Sequence, residues 1–123
     1  LLTFVGAAWS YLDAPSLPEG VDPREPELGI HANFFETAMV KAMHPDLVHD
    51  ELAAPNFPNL PDTKIGLDSP AYAQWITKDW SKSGVFGDPT HVTMEIANEY
   101  LERSIQGTLK FIRDMLIYEI PKS

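Results

Sequence analysis

Hydrophobic positions along this chain fall into three patterns, and each predicts a different element. Residues 1–8 are an unbroken apolar run of strand length, which suits a parallel strand buried on both faces. Between residues 33 and 43 the apolar positions come as adjacent pairs four residues apart: Phe34 and Phe35, Ala38 and Met39, Ala42 and Met43. That spacing draws one stripe on a helix, and Pro45 stops it because proline disfavours the helical backbone before it. The third pattern is the longest. Asp88 reads as an N-cap with Pro89 at the first helical position, and Val92, Ile96, Tyr100, Leu101, Ile105, Leu109, Ile112 and Met115 or Leu116 trace a face down to about Tyr118. Gly107 interrupts that helix at a cost of about 1 kcal/mol relative to alanine, which points to a close helix contact there.

The intervening stretches are punctuated by proline. Residues 14–27 hold Pro15, Pro18, Pro23 and Pro26 with acidic neighbours, and a loop of this length is more often functional than decorative. Residues 50–87 are broken by Pro55, Pro58, Pro61 and Pro70 and read as mostly irregular, with a helical turn or an extended piece possible over 72–80. One strand cannot make a sheet. The pattern therefore implies further strands supplied from elsewhere, beside the one strand and two helices that this chain offers.

Composition narrows the function classes. With 123 residues, 44% hydrophobic and 22% charged, this is one ordinary globular unit. A formal charge of −9 repels a phosphate backbone, and no Lys/Arg patch offers counterion release, so nucleic acid is not an expected partner. No apolar run reaches the roughly 18–20 residues of a membrane span. The absence of cysteine removes disulfides, thiolate ligands and cysteine nucleophiles, fits a reducing cytoplasm, and leaves any metal to His, Asp and Glu. The chain opens inside its apolar run with no initiator Met, which fits either a processing scar or, the favoured reading, a cut in a longer precursor.

His31 and Glu36 are the leading candidates for chemistry. His31 lies just ahead of the second element and Glu36 about one turn inside it. The positive end of a helix dipole disfavours an imidazolium, and a neutral imidazole serves as general base or hydrogen-bond donor. The plainer alternative is that His31 caps the helix and Glu36 satisfies an orphan N–H. His44 at a helix end and His91 in a first turn read as structural, and His49-Asp50-Glu51 as a solvated acidic surface. Trp9, at the end of the leading strand, is either core or the wall of a substrate pocket. No H-E-x-x-H, Walker A, G-x-G-x-x-G or G-x-S-x-G pattern occurs.

Two segments carry a resemblance. His31-Ala32-Asn33-Phe34-Phe35-Glu36-Thr37-Ala38, followed by Met43-His44-Pro45-Asp46-Leu47-Val48, resembles the H-A-G-x-F-E-T-S…R-P-D-L-V signature of the creatininase family. Ser83-Gly84-Val85-Phe86-Gly87-Asp88-Pro89-Thr90, with Thr93 and Glu95, resembles the same family's S-G-V-x-G-D-P-T-x-A-T-x-E. The resemblance spans nearly the whole chain but only the second half of a typical member, so residues 1–123 are expected to form the C-terminal half of one creatininase-like domain. It implies an α/β fold, with this chain as part of a mostly parallel sheet flanked by helices that an N-terminal half on another chain completes. It also implies divalent-metal-dependent hydrolysis of a C–N bond in a small amide, cyclic amide or formamide, in hexamer-like assemblies. By resemblance His31 is the catalytic histidine that handles a proton as the tetrahedral intermediate collapses, Glu36 is the Glu of the F-E-T motif, and Trp9, Glu27 and Asn33 fall at substrate-contacting positions.

The departures matter as much. Asn33 replaces the family's Gly, so the turn after His31 either differs or uses Asn's tolerance of positive φ. Glu27 stands where the creatinine-opening members have a second tryptophan, which argues against creatinine. Ala97 replaces another Gly. The family's metal-binding E-x-H, Asp and N-G-H-x-E/N ligands are missing. A zinc or manganese site is therefore expected mainly on a companion N-terminal chain. The alternatives are a non-catalytic oligomerisation or binding module, and a nicked fragment of a single-chain enzyme.

Overall fold

The computed structural model describes residues 17–59 and 76–119. The predicted strand over residues 1–8 and Trp9 lie outside the described residues, as do 72–75 of the ambiguous segment. Within them the elements are α1 (Glu25–Leu28), α2 (Phe34–Met43), two 3₁₀ turns (Pro45–Leu47 and Asp50–Leu52), α3 (Thr77–Trp80) and α4 (Met94–Ile117). No strand occurs among the described residues. Two isolated antiparallel bridges, His31 with Phe86 and Asn56 with Gly87, are the sheet-like pairing that these residues show.

Helix α2 forms where the paired apolar positions predict it. Asn33 caps it, its Oδ1 accepting the Glu36 N–H at 2.9 Å, and Pro45 opens a 3₁₀ turn where the helix stops. Phe34 and Ala38 are buried and face α4. There Phe34 and Tyr100 meet edge to face at 5.7 Å, with Phe35 tilted against the same ring at 6.1 Å. Such edge contacts add about 1 kcal/mol to the area buried. Val92 and Ala97 complete the core, with Leu17, Val21, Phe35, Ala42 and Ile96 around it.

Two expectations for α4 need correction. Asp88 does not cap it. Its carboxylate accepts from the Asp22 N–H at 2.8 Å and the Thr90 N–H at 3.0 Å, and His91 then adopts φ 61, a backbone that no α-helix can run through. The helix starts only after Thr93, whose Oγ1 accepts the Ile96 N–H at 3.2 Å.

The second correction concerns the buried face. It is made by Ala97, Tyr100, Ser104 and Gly107, four residues on one line of the helix. At 100° per residue, Ile105, Leu109 and Ile112 lie about 120–180° round from Tyr100, and all three are exposed, as are Leu116 and Ile117. Small residues let α2 come close, as Gly107 suggested, while the larger apolar side chains face away from the described core. Among the described residues no helix is long and apolar enough to cross a membrane.

Candidate functional site

The two signature segments are far apart in sequence but adjacent in space. His31 and Phe86 exchange main-chain hydrogen bonds, Phe86 N–H to His31 O at 2.8 Å and His31 N–H to Phe86 O at 3.2 Å, and Ile30 N–H reaches the same carbonyl at 2.9 Å. On the other side of this loop Gly87 and Asn56 exchange two bonds of 2.9 Å. Asn56 also donates its amide to Val85 O at 2.8 Å and Ser81 Oγ at 3.1 Å. The loop over 83–90 is thus held between residues 30–31 and Asn56. Phe86, fully buried, anchors it. Gly87 has to be glycine: its φ is 147, and a Cβ there would sit 2.7 Å from Asn33 Cβ.

With its backbone fixed, the His31 side chain stands at the surface, 61% exposed, beside Glu36 at 51%. Nδ1 of His31 lies 3.7 Å from Oε2 of Glu36, and that same oxygen accepts the Ala32 N–H at 2.5 Å. Glu36 therefore accepts the N–H of the residue just ahead of the cap, and its carboxylate stands beside the imidazole. His31 is not the cap. That role belongs to Asn33, and the positive φ after His31 falls on Ala32, at 47, rather than on Asn33, at −85. Asn33 needs an extended backbone because a cap must precede the first helical residue.

The imidazole opens onto a groove of about 470 Å³. Its walls are mainly apolar, with Val40, Leu47, Val48, Leu52, Val85 and Pro89 among the residues that line it. His49 also lines it, paired through Nδ1 with Glu51 Oε1 at 3.3 Å. Volumes of this order accept drug-sized molecules. Glu27 is exposed on α1 and does not line the groove. Asn33 does not line it either: its Oδ1 is used in the cap and its Nδ2 donates to Gly29 O at 2.7 Å.

Two framework residues carry no signal in the sequence. Lys41, on the second helix, is buried and donates to both Asp50 oxygens at 2.7 and 2.6 Å and to Val92 O at 2.6 Å, which ties the groove's far wall to the entry of α4. Glu25 is the other. It is buried beneath the His31 bridge, and burial pushes its carboxyl above the ordinary range despite two N–H donors. Burial pushes Asp88 upward too, but hydrogen bonds from Thr90 and the Asp22 N–H outweigh it and hold that carboxyl low. Neither Lys41 nor Glu25 carries a local signal, since their partners arrive through the fold.

The donors near His31 fall short of a divalent-metal site. Among the described residues no group of three or more His, Asp or Glu side chains converges to hold one. His31 and Glu36 offer two donors at most, and the Glu36 oxygen nearest the imidazole already accepts a main-chain N–H. These residues do not fit the metal by themselves.

Comparison with known proteins agrees with the motifs. A family model described as creatininase, creatinine amidohydrolase, matches residues 3–112. No curated protein and no solved structure matches the chain significantly. Members of that family are amidohydrolases that typically bind a divalent metal, and their fold is α/β. The match runs through both signature segments, through the bridge that joins them and through most of α4, and on that ground the chain belongs to the creatininase family.

Proposed function

We propose that this chain is the C-terminal part of an amidohydrolase that cleaves a C–N bond in a small amide, cyclic amide or formamide. One observation carries the reading: His31 is fixed by its own main chain where the two signature segments meet, with its ring free on a groove and a carboxylate 3.7 Å from Nδ1. A rigid backbone with a free ring is what proton transfer needs, because the transfer must happen within hydrogen-bond reach at a fixed place. In this reading Nδ1–H of His31 faces Glu36, Nε2 takes a proton from the attacking water, and His31 hands that proton to the leaving nitrogen as the C–N bond of the tetrahedral carbon breaks. Without that proton the departing group is an amide anion, a very poor leaving group.

The described residues supply proton handling and part of a pocket. The metal that family members bind is not accounted for by them, so we assign zinc or manganese, and the activation of water, to a companion N-terminal half. Trp9 is retained as the wall of the substrate pocket. Glu27 and Asn33 are not, because the first lies off the groove and the second is committed to the cap. An assembly of several such units, hexamer-like, in the cytoplasm completes the proposal.

The test is His31→Ala in the assembled enzyme, assayed on formamides, cyclic amides and small linear amides. Loss of a general acid costs about 10²–10⁴-fold in kcat, with assembly unchanged on size-exclusion chromatography. Unchanged turnover would overturn the reading. A second reading, a non-catalytic binding or oligomerisation module, draws support from the exposed apolar face of α4 at Ile105, Leu109 and Ile112. It predicts that disrupting this face abolishes assembly while His31→Ala changes nothing.

A further inference from the structure

Glu25 sits in a Pro-rich acidic stretch where a carboxylate would ordinarily be solvated, yet it is only 5% exposed. As the first residue of one-turn α1 it could satisfy its own helix's N–H groups. Instead Oε1 accepts the Phe34 N–H at 2.8 Å and Oε2 accepts the Asp88 N–H at 2.6 Å. Phe34 begins α2, three residues after His31. Asp88 follows the segment bridged to His31, 63 residues along the chain from Glu25. One carboxylate therefore grips both sides of the bridge that carries the imidazole.

Room for it is made by two glycines. A Cβ on Gly29 would lie 2.5 Å from Glu25 Oε1, and one on Gly87 would lie 2.8 Å from Oε2. A buried carboxylate is costly unless its lone pairs are occupied, and here two donors from distant segments occupy them. Phe34 and Asp88 are themselves buried, so freeing either N–H leaves a buried donor without an acceptor.

We propose that Glu25 is a positioning residue for His31, clamping the start of α2 to the 83–90 loop so that the imidazole and Glu36 keep their place on the groove. Its catalytic consequence rests on the amidohydrolase reading above. The clamp itself rests on geometry alone. Glu25→Gln tests it, since the side-chain amide offers one acceptor and must turn a donor toward one of the two N–H groups.

The experiment reads His31 by NMR in the intact chain and kcat in the assembled enzyme. In Glu25→Gln, the amide of Phe34 or Asp88 exchanges at least about tenfold faster. The His31 ring resonances shift, those of His49 do not, and kcat falls about tenfold with KM nearly unchanged. His31 resonances that stay in place while an amide is freed overturn the clamp. If the variant fails to fold, the wild type answers: the Phe34 and Asp88 amides and the His31 ring should all report one protonation step of Glu25. Asp22, Asp88 and Tyr100, the other titratable groups that interact with it, are separated by their own carboxyl and phenol signals. A His31 ring blind to the Glu25 step overturns the clamp. A shifted His31 with no amide hydrolysed by the wild type upholds the clamp and sinks the enzyme reading, whereas hydrolysis unaffected by Glu25→Gln does the reverse.

Discussion

Two histidines line the same groove, each beside a glutamate, and they are held in opposite ways. The His49–Glu51 pair is the closer, at 3.3 Å against 3.7 Å for His31–Glu36, and by distance alone it would be the better candidate. But His49 lies just before a three-residue 3₁₀ turn, and among the described residues the Glu51 carboxylate has no other partner. His31 is bonded through its main chain to Phe86, its glutamate is bonded to Ala32, and Glu25 grips the segments on both sides. Exposed ion pairs contribute little because water screens them and side-chain entropy opposes them. The difference teaches that a site is recognised by what fixes the backbone under it rather than by how near two side chains stand.

The largest effect should separate the pairs by rate. His31→Ala is expected to lower kcat of the assembled enzyme by about 10²–10⁴-fold, and His49→Ala by less than about threefold, any further change falling on KM. Equal losses of kcat would erase the comparison. The next effect is on stability. Phe34→Ala removes a fully buried ring beneath the His31 side and should cost about 3–5 kcal/mol in urea unfolding. Leu52→Ala, at an exposed position on the His49 side, should stay within about 0.5 kcal/mol. Asn33→Ala removes the cap of α2 and should cost about 1 kcal/mol, measured the same way.

The smallest effect is in acid. The Arg24 guanidinium holds Asp22 down to about 2, and Asp88 is also held below its ordinary value. Carboxyls with lowered values stabilise the fold above their unfolded value of 3.8 and lose that contribution as pH falls through the folded one. Glu25, raised by burial, has the opposite sign: its contribution is full below its unfolded value of 4.5 and is lost as pH rises through the folded one. Urea midpoints between pH 2 and 5 should therefore fall on acidification in the wild type and fall less in Asp22→Asn. A steeper fall in Asp22→Asn would contradict this assignment.

What was legible in the sequence follows the same division. Helix α2 was readable because its stripe, its cap region and Pro45 are all local signals. The two motifs were readable only as a resemblance, and their meeting in space, through the His31–Phe86 bridge, was not readable at all. Asp88-Pro89 misled because the pair makes a good helix start in isolation, and nothing local shows that Asp22 and Thr90 claim the carboxylate or that His91 turns the chain. The face of α4 misled for a related reason. Hydrophobicity marked Ile105, Leu109 and Ile112, whereas close packing against α2 selects the smaller Ala97, Ser104 and Gly107. Glu25 and Lys41 were invisible, since a buried charge is recognised by partners that only the fold delivers.

Native mass spectrometry of the purified protein, followed by denaturation of the same sample, tests the account most directly. The account predicts a complex in which this 13.8 kDa chain accompanies a second polypeptide bearing E-x-H and N-G-H-type segments, together with mass for a bound divalent metal. A lone, folded, metal-free chain without activity on any amide would contradict it.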